Sequence, residues 1–328
     1  MTPLVDAHTH LSLSAPDYYP EPMHKIESML HLQREHGIGR SVIYSPMVIS
    51  HALQAGRDPL AAARQYNEHI ARTQERHPEE VVGVGIVYPF AEDESAREAE
   101  RAVRELGLNA IMANPYLQGD WLDQDSRAEP LFQALAELRA PLIVHPEEEM
   151  EKVVAQAVGR RLLYDEGLVM WRTLATTWAL YGFAAGPLLD RFPELHVVFA
   201  HGAGMFWGKA TRIDMAFRAL ISKGDKIARS QWEGAESETL PLDRLRNHHV
   251  YMDTAWMDAG AMRSAIQFLG ADRMLYGSDG SPHPNSIDYF QHQLEHMELG
   301  EDELHAIKHG NAARLFGLIP SPAAAGEG

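Results

Sequence analysis

Two histidines, His8 and His10, stand two residues apart at the end of a short apolar run near the start of the chain. The run Leu4-Val5 predicts a β-strand, and because successive side chains of a strand alternate between its faces, both imidazoles point the same way. Paired neutral imidazoles are typical ligands of zinc-like ions. Taken alone, the pair is equally compatible with one histidine in the core and the other in a solvated turn.

Three further polar side chains follow other predicted strands. His145 ends one strand, His201 follows a second within His-Gly-Ala-Gly, and Asp279 follows a third within Ser-Asp-Gly-Ser-Pro-His. Histidine and aspartate at four separate strand ends favour a metal site over isolated structural histidines. We interpret Gly202 and Gly204 as room for a ligand beside the backbone.

The elements that must position these residues alternate along the chain. Short apolar runs separated by helical periodicity predict a parallel sheet covered by helices, and we predict a (β/α)8 TIM-like barrel with function at the C-terminal ends of its strands. An open doubly wound sheet is the second hypothesis, but no Gly-x-Gly-x-x-Gly follows any strand. The predicted strands cover residues 4–6, 41–45, 81–87, 108–112, 141–145, 196–200, 250–253 and 274–277.

No composition shift divides the chain, so we predict one barrel domain over residues 1–319 and a disordered tail over 320–328. A helical segment from Glu147 to about Phe192 is predicted as an insertion after strand 5. The polar stretch 222–238 is predicted to be exposed, as a dimer arm, a lid or an inert loop.

Bulk composition excludes several classes of function. The 328 residues are 45% hydrophobic and 23% charged, as in ordinary globular proteins. A formal charge of -17 without a Lys/Arg run argues against nucleic acid or an anionic membrane as partner. The absence of cysteine excludes disulfides, a thiolate nucleophile and thiolate metal ligands. No apolar run approaches the roughly 18 residues of a membrane span, and we expect a cytoplasmic protein.

The motifs and their order resemble the amidohydrolase superfamily. The resemblance is closest to the amidohydrolase-related group that includes aminocarboxymuconate-semialdehyde decarboxylase. The segments that carry it extend over nearly the whole chain: Asp6-Ala7-His8-Thr9-His10, Val144-His145-Pro146, Arg191-Phe192-Pro193-Glu194-Leu195, Ala200-His201-Gly202-Ala203-Gly204, Tyr276-Gly277-Ser278-Asp279 and Gly310-Asn311-Ala312-Ala313-Arg314-Leu315-Phe316-Gly317.

The resemblance implies a metal site and its chemistry. It makes His8, His10, His145 and Asp279 the metal ligands and His201 the acid/base residue, with Asp279 also able to take a proton from water. It implies a homodimer. Binuclear relatives carry a bridging lysine at the end of strand 4, which this chain lacks, so we expect one divalent ion. Zn²⁺ is our first choice and Mn²⁺ the alternative, because both accept imidazole and carboxylate ligands.

The resemblance leaves open hydrolysis, decarboxylation and hydration. Large apolar side chains after several strands favour a small aromatic or unsaturated substrate. The acidic run 147–149 disfavours a dicarboxylate if it points inward, although a solvated first turn of a helix would also explain it. We therefore place hydrolysis, or the reverse ring-closing condensation, of an amide, ester or lactone first. A decarboxylase of a hydroxylated aromatic or unsaturated acid is the alternative, and a non-catalytic metal-binding barrel is the third hypothesis.

Five residues are predicted to contact the substrate: Arg172, Trp171, Trp256, His283 and Glu147. Arg172 is the best candidate for a carboxylate anchor, with Arg57 and Arg127 behind it. Asp6 either supports a ligand histidine through a hydrogen bond or simply ends the first strand.

Overall fold

The computed structural model describes residues 4–11, 25–147, 170–223, 239–281 and 283–319. The predicted tail over 320–328 lies outside these residues. So do 148–169 of the predicted helical insertion and 224–238 of the predicted polar stretch.

The described residues contain an eight-stranded sheet in which sequential strands pair in parallel. Its last and first strands meet through two backbone bonds: Ala7 N donates to Tyr276 O at 2.8 Å, and Asp279 N donates to His8 O at 2.9 Å. The sheet is therefore a nearly closed barrel, and the predicted fold is confirmed. The strands are β1 Leu4–His10, β2 Ile38–Tyr44, β3 Val81–Ile86, β4 Ala110–Ala113, β5 Leu142–Val144, β6 Val197–Phe199, β7 Val250–Asp253 and β8 Met274–Leu275.

Helices surround the barrel. They are α1 Ile26–Glu35, α2 Val48–Gln54, α3 Pro59–Arg76, α4 Asp93–Arg104, α5 Glu129–Leu138, α6 Arg172–Ala185, α7 Leu188–Arg191, α8 Ala210–Lys223, α9 Pro241–Asn247, α10 Ala259–Leu269, α11 Asn285–Glu295, α12 Glu301–His305 and α13 Asn311–Leu315. Within the described part of the chain, none combines the length and apolar composition needed to cross a bilayer.

Local sequence explains where several helices begin. The Asp58 carboxylate accepts a hydrogen bond from Leu60 N at 3.0 Å at the start of α3, where Pro59 occupies the first turn. Asp258 caps α10 in the same way, accepting from Ala261 N at 2.8 Å. The strands between these helices are almost entirely buried and rich in Val and Ile, which is typical of a parallel sheet covered on its outer face.

The sequence did not predict α2, α9 or a short antiparallel pair, Tyr116–Leu117 and Asp120–Trp121. It also predicted one continuous helix over 301–316, which the structure divides. A π-helical turn, Ala306–Gly310, separates α12 from α13. Within this turn the Ile307 carbonyl accepts a hydrogen bond from Tyr276 N at 3.0 Å, so the irregular turn ties the C-terminal helices to β8.

Candidate metal centre and active site

Four side chains from three strand ends converge inside the mouth of the barrel. The Nε2 atom of His8, at the end of β1, lies 3.2 Å from Nε2 of His10 and 3.2 Å from Nε2 of His145, which follows β5. Asp279, after β8, places Oδ1 3.3 Å from His10 Nε2 and 3.8 Å from His8 Nε2. The structure thus brings together the four residues predicted as metal ligands.

The outer nitrogen of each imidazole is engaged elsewhere. Nδ1 of His8 donates to Asp253 Oδ2 at 2.8 Å, Nδ1 of His10 to the Tyr44 carbonyl at 3.1 Å, and Nδ1 of His145 to the Pro146 carbonyl at 2.6 Å. A neutral imidazole that donates from Nδ1 keeps its lone pair on Nε2. All three lone pairs therefore face the centre of the cluster.

The chemistry of this donor set fits a divalent cation. Asp279 Oδ1 is buried and accepts no hydrogen bond from the described residues. Each of these nitrogen lone pairs and the carboxylate oxygen lies 3.2–3.8 Å from at least one other donor of the cluster, and such donors repel one another unless a cation lies among them. The cluster can therefore hold one divalent ion, and imidazole with carboxylate suits Zn²⁺ and Mn²⁺ alike.

Asn114 stands directly after β4, in the region where the resemblance to binuclear relatives would place a bridging carboxylated lysine. Asn114 is fully buried, and its Nδ2 donates to the carbonyls of Pro46 at 3.1 Å and His145 at 3.2 Å. A neutral amide that donates to two backbone carbonyls supplies no bridging carboxylate. This arrangement supports a single ion.

Burial keeps two of the three cluster imidazoles neutral, as cation binding requires. Burial lowers the pKa of His10 to about 3 and that of His145 well below its usual value, so both are neutral near pH 7. Burial also acts to lower the pKa of His8, but the carboxylates of Asp253, Asp279 and Asp6 together outweigh it and raise the pKa overall. For Asp279, burial is outweighed by His201 and the neighbouring histidines, which hold its pKa below the usual range.

His201 lies beside the cluster at the end of β6. Its Nε2 is 3.8 Å from Asp279 Oδ2, its side chain is 12% exposed, and burial lowers its pKa. Its backbone N–H donates to Asp253 Oδ1 at 2.9 Å. His201 is thus placed to exchange a proton with a molecule that reaches the cluster from the barrel mouth.

The glycines after His201 serve packing, which corrects their interpretation as room for a ligand. All four residues 201–204 have positive φ, between 53° and 63°. A Cβ on Gly202 would lie 2.2 Å from the side chain of Met257, and one on Gly204 would lie 2.2 Å from the Thr173 carbonyl. Glycine is required here by the left-handed backbone and by close neighbours.

Asp253 is a candidate functional residue that the sequence argument missed. It ends β7, its side chain is 1% exposed, and its two oxygens separately hold the imidazole of His8 and the backbone of His201. The signal was present, because a carboxylate at the end of a predicted strand satisfies the rule that found the other residues. Asp6, the residue proposed for this kind of role, instead accepts from the backbone N–H groups of His8 at 3.1 Å and Ser278 at 2.9 Å.

The residues predicted to contact the substrate fall into two groups. Trp256 and His283 lie together, with ring centroids 5.2 Å apart. Trp171, at the start of α6, is 9% exposed and packs with Tyr116. Arg172 follows it, and its positive charge contributes to the lowered pKa of His145, after burial and the neighbouring imidazoles.

Glu147 is 5% exposed, which corrects its interpretation as part of a solvated helical turn. Glu148 and Glu149 lie outside the described residues. Arg127, a weaker candidate for the anchor, is bound to Asp120 and Asp125 and lies over the Phe90 ring.

A surface pocket of about 670 Å³ adjoins the site on the side of β7 and β8. Aromatic and apolar side chains line much of it, including Trp256, Met257, Tyr289 and Phe290. The cluster histidines do not line it. Trp256 connects the pocket to the candidate metal centre, because it lines the pocket and its Nε1 donates to Asp279 Oδ2 at 2.7 Å.

Comparisons with known proteins agree on the family. The amidohydrolase family model matches residues 5–318. The chain is 26% identical over 269 residues to 2-amino-3-carboxymuconate-6-semialdehyde decarboxylase of Dictyostelium discoideum, covering 81% of this chain and 69% of that protein. It is 25% identical over 309 residues to 2-keto-4-carboxy-3-hexenedioate hydratase of a Sphingobium species, covering 88% and 81%.

A solved structure shares the fold over almost the whole length. The crystal structure of a dihydroxybenzoic acid decarboxylase from Polaromonas, with bound manganese and the inhibitor 2-nitroresorcinol, superposes with a TM-score of 0.77. The two proteins are 19% identical, and the match covers 98% of each chain.

Proposed function

Because the chain belongs to the amidohydrolase family, we propose that it is a metal-dependent decarboxylase of a hydroxylated aromatic or unsaturated carboxylic acid. The sequence alone placed hydrolysis or ring closure first. The relatives favour the alternative, since the Dictyostelium protein and the structurally similar Polaromonas protein are both decarboxylases.

The observation that carries the proposal is a cation beside the cluster. Arg172 is close enough to His145 for its charge to contribute to the lowered pKa of that imidazole. A guanidinium whose charge reaches His145 can bind the carboxylate of a substrate whose other oxygens face the cluster. Trp171 and Tyr116 provide a flat apolar surface next to it. An anionic, unsaturated ligand could bind the guanidinium through its carboxylate and the apolar surface through its flat hydrocarbon part.

The reaction requires a proton donor and a group that stabilises the negative charge on the substrate. In our proposal, the carbon that bears the carboxylate gains a proton, its bond to the carboxyl carbon breaks, and the bonding electrons stay with the substrate as CO₂ leaves. His201, whose Nε2 lies 3.8 Å from Asp279 Oδ2, is the group positioned to supply that proton, because Asp279 itself is ionised. When bound, a divalent ion would polarise a hydroxyl or carboxylate oxygen of the substrate.

We propose that Mn²⁺ fills the site in place of our first choice, Zn²⁺. The donor set accepts either ion. The Polaromonas structure contains manganese, and this supports Mn²⁺ for a chain with the same fold. The ligand roles of His8, His10, His145 and Asp279, the homodimer and the cytoplasmic location stay predictions.

The test measures CO₂ release by the Mn²⁺-loaded protein from a panel of hydroxybenzoates and unsaturated dicarboxylates. Arg172→Ala should raise KM for a responsive acid by roughly 10–100-fold, the loss expected when a hydrogen bond to a charged group is removed. Arg104→Ala is the matched control, because Arg104 is exposed at the C-terminal end of α4. No CO₂ from any acid, combined with turnover of neutral esters or lactones, would restore the hydrolytic hypothesis.

Hydration is the second candidate, supported by the Sphingobium relative. The same site could add water across a carbon–carbon double bond without loss of carbon. Unsaturated dicarboxylates distinguish the two reactions, because hydration incorporates ¹⁸O from labelled water into a product that keeps every carbon, whereas decarboxylation releases CO₂.

A further inference from the structure

Trp256 occupies an unfavourable backbone position in the turn that follows β7. Met257 N donates to the Thr254 carbonyl at 3.2 Å, which closes a turn with Trp256 as its third residue. Its φ is +58°, in the left-handed region that favours glycine at this position of a turn. A bulky residue is strained in this conformation, and such strain is concentrated at functional sites.

Burial of the indole does not explain why a tryptophan is kept there. The residue is 49% exposed, and its ring meets His283 edge-on at 5.2 Å and Phe290 at 5.9 Å on the pocket side. The indole therefore makes only part of the apolar contact that a tryptophan can make, although its backbone is strained.

The polar atom of the indole makes the informative contact. Nε1 of Trp256 donates to Oδ2 of Asp279 at 2.7 Å. The two oxygens of the Asp279 carboxylate therefore have different partners. Oδ2 is held by the indole, while Oδ1 faces Nε2 of His10 at 3.3 Å and Nε2 of His8 at 3.8 Å.

The same contact affects His201. Its Nε2 lies 3.8 Å from Asp279 Oδ2, the oxygen that the indole occupies. Without the indole N–H, rotation of the carboxylate toward His201 would give a charge-assisted hydrogen bond and take Oδ1 away from the histidines. The proton-exchanging nitrogen of His201 would then be occupied as well.

We propose that Trp256 is a positioning residue, which fixes the Asp279 carboxylate so that Oδ1 serves the metal site and His201 stays available to the substrate. This inference rests on the proposed function, because it assumes that the cluster binds a divalent ion. It adds a second role to the prediction that Trp256 contacts the substrate.

The test compares three variants. Trp256→Phe keeps an aromatic ring and removes the N–H. Trp256→Gly removes the ring and accepts the left-handed backbone. Tyr289→Phe is the control, because it removes a hydroxyl from the same pocket without touching Asp279. Mn²⁺ affinity is measured by electron paramagnetic resonance, the stability of the metal-free protein by urea unfolding, and kcat and KM on any acid that releases CO₂.

We expect Trp256→Phe to weaken Mn²⁺ binding by about tenfold, the lower end of the range for residues that orient metal ligands. Its kcat should fall more than its KM rises, and its urea midpoint should match that of the wild type. Trp256→Gly should lose the same affinity with a urea midpoint no lower than that of Trp256→Phe. Tyr289→Phe should bind Mn²⁺ normally.

Wild-type Mn²⁺ affinity in Trp256→Phe would overturn the positioning role and leave the proposed function intact. If the Trp256 variants lose Mn²⁺ affinity only to the extent that their urea midpoints fall, the positioning role is also overturned, because a purely structural residue would behave in this way. A wild-type chain that binds neither Mn²⁺ nor Zn²⁺ would overturn both proposals. Weakened Mn²⁺ binding by Trp256→Phe would support the positioning role even if no acid releases CO₂.

Discussion

Asp253 accepts the Nδ1 hydrogen of His8 at 2.8 Å, and this bond joins the end of β7 to the end of β1 across the barrel mouth. The other oxygen of Asp253 accepts from the backbone of His201 at 2.9 Å. One buried carboxylate thus sets the orientation of a candidate metal ligand and the position of the candidate proton donor.

Asp253→Ala should weaken divalent metal binding by about 10–100-fold, because His8 loses the acceptor that directs its Nε2 toward the cluster. The measurement is a Mn²⁺ titration of the metal-free protein. Asp258→Asn is the control, since it changes a carboxylate five residues further on into another good N-cap residue for α10. Mn²⁺ affinity within twofold of the wild type in Asp253→Ala would show that His8 is oriented without it.

Gly277→Ala should disturb the site through packing. The added Cβ would lie 2.8 Å from Cβ of His8 and 3.0 Å from Cβ of Asp253, and neither atom is the end of a flexible side chain. We expect the free energy of unfolding to fall by about 1–3 kcal/mol, together with Mn²⁺ affinity. Gly208→Ala, where a Cβ has nothing within 4 Å, should change neither quantity by a comparable amount. Urea unfolding and the Mn²⁺ titration check both, and unchanged stability of Gly277→Ala would contradict the packing argument.

His201→Asn tests the acid/base role. Asparagine tolerates the left-handed backbone of this position, where φ is +53°, so the fold should be retained. We expect kcat for CO₂ release to fall by about 10²–10⁴-fold, the usual contribution of general acid–base catalysis. Mn²⁺ affinity should change by less than about tenfold, because His201 is not among the four proposed ligands. A loss of affinity as large as that of His10→Ala would make His201 a ligand instead.

Asp123→Asn should make stability less dependent on pH. Burial raises the pKa of Asp123 to about 6 from a usual value of 3.8, and its Oδ1 has no hydrogen-bond partner among the described residues. Because the folded state binds this proton more tightly than the unfolded state, the wild type gains stability as the pH falls from about 7 to about 4. Above pH 7 the ionised carboxylate costs up to about 3 kcal/mol.

The variant should therefore be more stable than the wild type at pH 8, and the difference should disappear below about pH 4. Urea unfolding of both metal-free proteins across this range gives the two curves. Parallel curves would mean that the Asp123 carboxylate is not destabilised by its surroundings.

Periodicity and strand-end logic predicted most of the barrel. The predicted bounds of β7 and α10 coincide with those observed, since an apolar run and an Asp cap mark them clearly. The π-turn at Ala306–Gly310 was not predictable from local sequence. It contains a backbone hydrogen bond between Ile307 and Tyr276, two residues that lie far apart in sequence.

The site divides in the same way. Strand-end position predicted that His8, His10, His145 and Asp279 meet, and the structure places His8 close to each of the other three. His201 joins this group, because His8, His145 and His201 offer donor atoms within 4.8 Å of one another. The partner of Trp256 could not be predicted, because its indole reaches Asp279 only through a left-handed turn. The role of the glycines after His201 was misjudged for a related reason, since their neighbours come from α6 and the β7 loop.

The contact between the first and last strands determines when, during folding, the candidate metal centre is complete. β1 and β8 come from opposite ends of the chain, and one of their two backbone bonds joins Asp279 N to the carbonyl of His8. On a ribosome, the first two ligands emerge long before the last, and the four-residue set is complete only when the strands that close the barrel can meet. We therefore expect the ion to bind late in folding, and an ion held by residues from both strands would link the two ends of the sheet.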